Sequence, residues 1–278
     1  MTPRQKTTAS SPRARQGKAG TYLYGLILTL ILAFLLLPLL VVVWTSLQPD
    51  RFPQVPPTGL SLRWWQDALT PTWLKPIRLS FVIALTAGAL ATILGTAAAY
   101  GLHKSAGRLK GVFDAFLLSP LLLPEIVLGV AILQLLATLD LRSQLGLPVL
   151  VITHSVVGIP FVMRTVGVSL GGVRPEWEEA ARDLGASRGR VLATITLPLA
   201  RAGIMAGFLF AFVQSFNNVE LSLFLSQHGN ETIPIALLTF MEYEYSPSLA
   251  AVAILNVAIV IALAALFGRS LSMKHLIK

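Results

Sequence analysis

The sequence predicts an all-α polytopic membrane protein with six transmembrane helices. Of its 278 residues, 54% are apolar and only 13% are charged, whereas a soluble domain carries about 25% charged residues. The apolar residues form runs of about 20 residues or more, enough to cross ~30 Å of hydrocarbon at 1.5 Å per residue. Only helices or closed barrels satisfy backbone polar groups in lipid, and the runs lack the two-residue alternation of barrel strands.

The elements follow one another without a sign of a second soluble domain. Residues 1–20 are basic and polar with no apolar periodicity, so we expect a disordered cytoplasmic tail. Residues 21–278 are predicted to form a single transmembrane domain. Its expected spans are about 22–47, 80–102, 112–139, 147–170, 199–225 and 248–267. The loop after the first span is rich in proline and tryptophan, which indicates an outer loop with a short helix lying on the membrane near 62–69.

The distribution of Lys and Arg predicts the orientation. With the N-terminus inside, 16 of the 22 basic residues fall on the cytoplasmic side and five on the outer side. The positive-inside rule therefore places both termini and the loop 171–198 in the cytoplasm. The net charge of +9 reflects this placement, and we expect contact with the lipid bilayer and no nucleic-acid partner. The absence of cysteine excludes disulfides and thiolate metal sites.

A charged segment, EWEEAARDLGASRGRVLATITLP at 176–198, lies between the fourth and fifth apolar runs. At 100° per residue, four apolar residues fall on one stripe: Trp177, Ala180, Ala181 and Leu184. This pattern predicts a short amphipathic helix, which Gly185 can end in the left-handed conformation. Ser187 can cap a second, weaker helix, and Pro198 fits the first turn of the next span.

The same segment resembles the EAA loop of the membrane-spanning permease subunits of ATP-binding-cassette importers. It fills every fixed position of that pattern, Glu179-Ala180-Ala181, Gly185 and Ile195-Thr196-Leu197-Pro198, at the required spacing. The resemblance implies a cytoplasmic coupling helix that sits in a groove of a separate ATPase subunit. The residues to which it assigns this coupling are Trp177, Glu179, Ala180, Ala181, Leu184, Gly185, Ile195, Leu197 and Pro198.

The resemblance covers most of the chain and is greatest to the spermidine/putrescine-type permeases. It implies a type I importer permease bundle in the bacterial cytoplasmic (inner) membrane. The implied partners are a second permease subunit, forming a heterodimer, two ATP-binding-cassette subunits and an extracytoplasmic substrate-binding protein. The chain contains no P-loop sequence, so ATP and Mg²⁺ are expected on the ATPase partner, with no cofactor, metal or catalytic residue on this chain.

Polar residues within the apolar runs are candidates for a substrate pathway, because a charge buried in lipid costs about 2.5–3.5 kcal/mol. The candidates are Glu125, Gln214, Asn217, Asn218 and Glu220. Interhelical hydrogen bonding is the alternative role of the amides. The helix 5 segment keeps one acid beside two amides, where the polyamine group usually carries more acids. This difference argues against a polyamine, whereas the acids at or near the outer face of the last two spans, Glu220, Glu231, Glu242 and Glu244, favour a cation. The expected substrate is therefore a small solute, either polyamine-like or another small cation.

Two other functions fit parts of the sequence. An ion-coupled secondary transporter would carry protons on Glu125 and Glu220. A membrane serine hydrolase would use Ser169, which lies in a G-x-S-x-G sequence with His154 on the same predicted helix. A nucleophile elbow, however, requires a strand, a turn and a helix. Neither function explains the segment 176–198.

Overall fold

The computed structural model describes residues 18–52, 54, 58–227, 229–244 and 246–271. Most of the expected tail, 1–17, lies outside the described residues, and 18–20 begin the first helix. The described residues contain no β-strand and form these helices: α1 (Lys18–Ser46), α2 (Arg63–Ala68), α3 (Pro71–Lys104), α4 (Arg108–Leu118), α5 (Glu125–Thr138), α6 (Leu147–Gly171), α7 (Pro175–Asp183), α8 (Arg188–Val191), α9 (Leu197–Phe216), α10 (Glu220–Leu225), α11 (Ile233–Tyr243) and α12 (Ser248–Leu271).

Length and hydropathy identify the spans. In the described part of the chain, five helices are long and apolar enough to cross a membrane: α1, α3, α6, the helix 188–216 that ends with α9, and α12. The bent pair of α4 and α5 makes a sixth span if it is counted as one. The all-α six-span class predicted from the sequence is therefore confirmed, although two of the predicted spans differ in form.

The centre of the bundle is the triangle of α3, α6 and α9, in which each helix packs against the other two. Close approach depends on glycine. A Cβ at Gly203 would lie 2.4 Å from the carbonyl oxygen of Thr165, and one at Gly207 would lie 2.9 Å from the Cα of Val162. This small-xxx-small pair therefore packs against α6.

Replacing Gly207 by leucine should destabilise the bundle by about 1–3 kcal/mol, because the added side chain has no space between α9 and α6. The measurement is the unfolding transition in detergent micelles. The matched control is Gly25→Leu on α1, where an added Cβ meets no atom within 4 Å. Equal stability of the two variants would contradict this account of the packing.

The third span is broken, and the prediction of one helix over 112–139 is wrong. α4 passes into a 3₁₀ turn at Ser119–Leu122, and α5 leaves it at 95° to the first half. Pro120 and Pro124 donate no backbone hydrogen bond. The residue before a proline is driven out of the helical region, and Leu123 has the extended angles φ −93° and ψ 135°.

The fifth span is also broken, so the prediction of one helix over 199–225 is wrong. α9 ends at Phe216, and α10 begins after the three residues 217–219. The Asn218 side chain accepts a hydrogen bond from the backbone N–H of Leu221 at 2.9 Å, which offers the backbone an alternative to continuing the helix. The second span starts at Pro71, nine residues before the predicted start at 80. The helix α11 is an addition to the predicted elements.

The short helix predicted near 62–69 is present as α2, and two tryptophans of this region are buried within the protein. Trp64 and Trp73 are each only 4% exposed and belong to a core cluster with Phe212 and Phe216. The indole of Trp64 donates to the backbone oxygen of Gln48 at 2.7 Å. These rings therefore anchor the outer loop to the bundle.

Candidate functional site

The segment between α6 and α9 has the helix–turn–helix form that its sequence predicts. Gly185 follows α7 with φ +87°, the left-handed conformation that favours glycine. The Ser187 hydroxyl accepts a hydrogen bond from the backbone N–H of Arg190 at 3.3 Å and caps α8. A π-helical turn at Leu192–Thr196 then joins α8 to α9. Pro198 lies in the first turn of α9, as expected.

The apolar stripe of α7 faces away from the bundle. Trp177 is 45% exposed and Leu184 is 89% exposed, and Glu179 and Ala180 are exposed between them. Ala181 is half-buried. Large apolar side chains that are exposed side by side indicate a surface for a partner. Among the other motif residues, Ile195 and Leu197 are half-buried and Pro198 is exposed where the segment enters α9.

Glu178 attaches α7 to the bundle, although its sequence position suggested a solvated polar face. The residue is 2% exposed. Its carboxylate accepts a hydrogen bond from the ammonium of Lys104 at the end of α3, and another at 2.7 Å from the hydroxyl of Thr196. The Arg182 guanidinium lies 3.7 Å away. One carboxylate therefore joins α7, the end of α3 and the turn before α9.

The cationic partners keep Glu178 ionised. Burial of the carboxyl would raise its pKa, but the hydrogen bonds from Lys104 and Thr196 and the positive charges of Lys104 and Arg182 outweigh burial, so the net pKa is lowered. No local pattern in the sequence indicates this cluster, because Lys104 and Glu178 are 74 residues apart.

A second polar cluster lies where the two broken spans meet. The amide of Gln214 donates to both carboxylate oxygens of Glu125, at 3.1 and 3.2 Å, and the amide of Asn218 donates to one of them. Glu125 is the first residue of α5, and Asn218 lies in the break before α10. The carboxylate therefore holds the two helix breaks together through neutral amide donors.

The structure does not bring all the predicted pathway residues together. Asn217 donates to the backbone oxygen of Val213 at 3.0 Å and accepts from the amide of Asn256 on α12, also at 3.0 Å. Asn256 thus has the interhelical role that an isolated polar residue suggests. The side chain of Glu220 is exposed and lies outside the Glu125 cluster. Within the described residues, no group of three or more His, Cys, Asp or Glu could hold a metal.

Comparison with known families decides between the functions that the sequence left open. Residues 91–273 match the family described as "Binding-protein-dependent transport system inner membrane component". The chain belongs to this family. As a member, it is a multi-span transport component of the inner membrane, and the prediction of a transport subunit without catalytic activity is confirmed.

Curated relatives of this permease include polyamine transport proteins. It is 29% identical over 248 residues to the spermidine/putrescine transport system permease protein PotC of Escherichia coli K12, which covers 87% of this chain and 93% of that protein. It is 30% identical over 236 residues to the putrescine transport system permease protein PotI of the same strain, covering 82% and 83%. These similarities confirm the predicted resemblance to the spermidine/putrescine group.

Solved structures show the same fold at low sequence identity. A chain of a bacterial ABC transporter involved in the import of alginate aligns with a TM-score of 0.71 and 13% identity, covering 94% of the permease and 99% of that chain. A chain of the inward-facing MetNI methionine ABC transporter aligns with a TM-score of 0.61 and 16% identity, covering 70% and 93%. The type I importer permease bundle expected from the sequence is thus the fold observed.

Ser169 and His154, the two residues considered for a hydrolase, both contact a neighbouring helix in the permease. A Cβ at Gly203 would lie 2.4 Å from the Ser169 hydroxyl, so Ser169 packs against α9 within a helix–helix contact. His154 is buried, and its Nδ1 lies 2.8 Å from the hydroxyl of Ser215. The strand and sharp turn of a nucleophile elbow are absent around Ser169, which lies in the last turns of α6.

Proposed function

We propose that this protein is one of two permease subunits of an ATP-driven importer for a small cationic solute of the polyamine class. The observation that carries the substrate proposal is the Glu125 cluster. The carboxylate is half-buried at the meeting point of two broken spans, and its hydrogen-bond donors there are neutral amides. The names of the curated relatives support the same class of solute.

The electrostatic argument follows from the partners of Glu125. The ion pairs of Lys104, Arg164 and Arg182 are with other carboxylates, those of Glu178 and Asp114. Amide donors stabilise the Glu125 carboxylate without neutralising it. A negative charge within a span is costly, so a charged residue there indicates a functional site. A passing ammonium group supplies the missing positive charge. The carbonyl oxygen of Gln214 has no hydrogen-bond partner among the described residues and offers a second acceptor to such a group.

The exposed stripe on α7 supports coupling to a separate ATPase. Trp177 and Leu184 would insert into a groove of an ATP-binding-cassette subunit, with Glu179 and Ala180 at the contact. Gly185 would set the angle at which the chain leaves α7. The full assembly would contain a related second permease subunit, two ATPase subunits and an extracytoplasmic binding protein, with both termini and the segment 171–198 in the cytoplasm.

The contacts of Glu178 suggest how movement of α7 reaches the pathway. Closure of the ATPase subunits on ATP would displace α7, and the Glu178 carboxylate would transmit that displacement to α3 and to the start of α9. The other end of α9 carries Gln214, which contacts Glu125. ATP binding shifts the bundle between inward- and outward-facing states only if these contacts differ in free energy between the two states.

Co-purification of the tagged protein from its native membrane tests the importer assembly. We expect a P-loop ATPase and a second six-span subunit to accompany the wild type. The Gly185→Val variant should lose the ATPase, because a β-branched residue at φ +87° is strained and would redirect the chain after α7.

The matched control for this experiment is Gly189→Val, which makes the same change in the short helix α8. Gly189 has a negative φ there, and an added Cβ would meet no atom within 4 Å. This control should retain the ATPase. Isolation of the wild type alone, or equal ATPase recovery with both variants, would contradict the coupling role of the segment.

A further inference from the structure

Two adjoining recesses lie at one end of the bundle, where α3, α4 and α6 come together. The first has a volume of about 320 Å³ and is lined by the charged or titratable side chains of His103, Lys110, Asp114 and Arg164. The second has a volume of about 410 Å³ and lies between α3 and α4. Leu102 and Lys110 line both, so the two recesses lie side by side.

The first recess carries more positive than negative charge. Lys110 and Arg164 face a single carboxylate, that of Asp114, among the described lining residues. The Arg164 guanidinium lies 3.5 Å from Asp114, and both side chains are partly exposed, at 59% and 37%. A single, long and exposed ion pair contributes little stabilisation. The recess is therefore suited to an additional anion.

The second recess is apolar and opens toward the surroundings of the bundle. Leu109 is 70% exposed and Phe113 is 58% exposed along its edge on α4. On the facing side, Gly101 leaves open space, because an added Cβ would meet no atom within 4 Å. An apolar groove that begins beside a lysine fits a hydrocarbon chain attached to an anionic head group.

We propose that these recesses bind one anionic phospholipid, with its phosphate beside Arg164 and Lys110 and an acyl chain along the groove past Gly101. The guanidinium can hold a phosphate through two parallel hydrogen bonds, and the lysine adds a point charge. The location fits a lipid head group. Arg164 lies seven residues before the end of α6, about 10 Å along the helix axis, and basic pockets between spans bind anionic head groups.

The lipid site is separate from the surfaces to which transport is assigned. The residues that line the two recesses include none of the Glu125 cluster and none of the exposed stripe of α7, so the lipid proposal does not depend on the solute or on the ATPase. A bound phospholipid would fill the space between the end of α3 and α4. It would thereby stabilise one arrangement of these helices.

The test compares lipid binding by the full chain, purified with the subunits that accompany it. Phosphatidylglycerol and phosphatidylcholine of equal chain length are titrated in detergent, and the bound lipid is counted by native mass spectrometry. We expect wild type to prefer phosphatidylglycerol, and the K110Q/R164Q variant to lose that preference by about thirtyfold, since each of the two basic residues near an anionic head group contributes about 1 kcal/mol.

Two further variants separate head-group from chain recognition. Arg142→Gln removes an exposed positive charge at the other end of α6 and should leave the preference unchanged. Gly101→Phe fills the groove and should weaken phosphatidylglycerol binding.

Equal binding of the two lipids by wild type would overturn the proposal. Displacement of the lipid by millimolar inorganic phosphate would also overturn it, in favour of a soluble anion. A cross-link from the Val168→Cys variant to a second permease subunit would overturn it by assigning this face to a protein interface.

Discussion

Truncation of Lys104 to alanine is expected to destabilise the attachment of α7 by about 3 kcal/mol. Loss of one partner from a buried ion pair costs about 3–5 kcal/mol because the other charge stays buried without compensation. Glu178 is 2% exposed, so it cannot recover hydration without moving α7. The expectation lies at the lower end of the range, because Arg182 and Thr196 remain as partners. Hydrogen exchange of the α7 amides measures the local opening.

Truncation of Glu178 to alanine should cost less stability than truncation of Lys104. The Lys104 side chain is 37% exposed, so in Glu178→Ala it can turn toward water, and we expect a loss of about 1–2 kcal/mol. The double variant should resemble Glu178→Ala, since no buried charge is then left unpaired. A double-mutant cycle would yield the coupling between the two side chains. Additive single effects would contradict the idea that this ion pair holds α7.

Acid should loosen α7 in the wild type for the same reason. The pKa of Glu178 is lowered in the folded protein, so its contribution to stability is complete above the ordinary value of 4.5 and is lost as the pH falls through the lowered pKa. The protection of the α7 amides, measured as exchange rates corrected for the intrinsic slowing of exchange at lower pH, should therefore decrease below about pH 4.5. The Glu178→Ala variant lacks the titrating group and should show a smaller change over the same interval.

The helix–turn–helix form of the segment 176–198 was predictable from sequence because its signals are local. Gly185 and Ser187 fix the ends of neighbouring helices by their own backbone and side-chain chemistry, and the structure places them in those roles. The anchor of the segment was not predictable. Glu178 looked like one more acid on a polar face, and only the fold brings Lys104 and Thr196 to it.

The two breaks within the spans could not be predicted from the sequence. Hydropathy alone joined α4 with α5 and α9 with α10, because apolar residues continue across both breaks. Pro120 and Pro124 leave backbone carbonyl groups without their helical partners, but the 95° bend depends on what packs beside these prolines. The amides of Gln214 and Asn218 were recognised as pathway candidates, whereas their shared contact with Glu125 followed only from the meeting of the two breaks.

Replacement of Glu125 by glutamine should reduce uptake of a cationic solute at least tenfold while leaving the fold intact. The substitution keeps the size of the side chain and one carbonyl acceptor for Asn218. Gln214 can rotate and offer its carbonyl oxygen, which accepts no hydrogen bond within the described part of the chain, so the hydrogen bonds can be remade. The negative charge is lost, however, and at an effective dielectric constant of 20 two unit charges 4 Å apart interact by about 4 kcal/mol. The measurement is uptake of labelled solute into proteoliposomes containing the complete transporter.

Glu220→Gln is the matched control, because it makes the same change at an exposed acid outside the cluster. We expect its uptake to stay close to that of wild type. A rise in KM for Glu125→Gln with little change in basal ATP hydrolysis would indicate lost solute binding, whereas unfolding would reduce both. Unchanged uptake in Glu125→Gln would remove this carboxylate from the pathway. Equal losses in the two variants, together with uptake that collapses with the proton gradient, would favour proton transfer through both acids. Comparison of the two isosteric variants, Glu125→Gln and Glu220→Gln, therefore distinguishes a solute site from a proton relay.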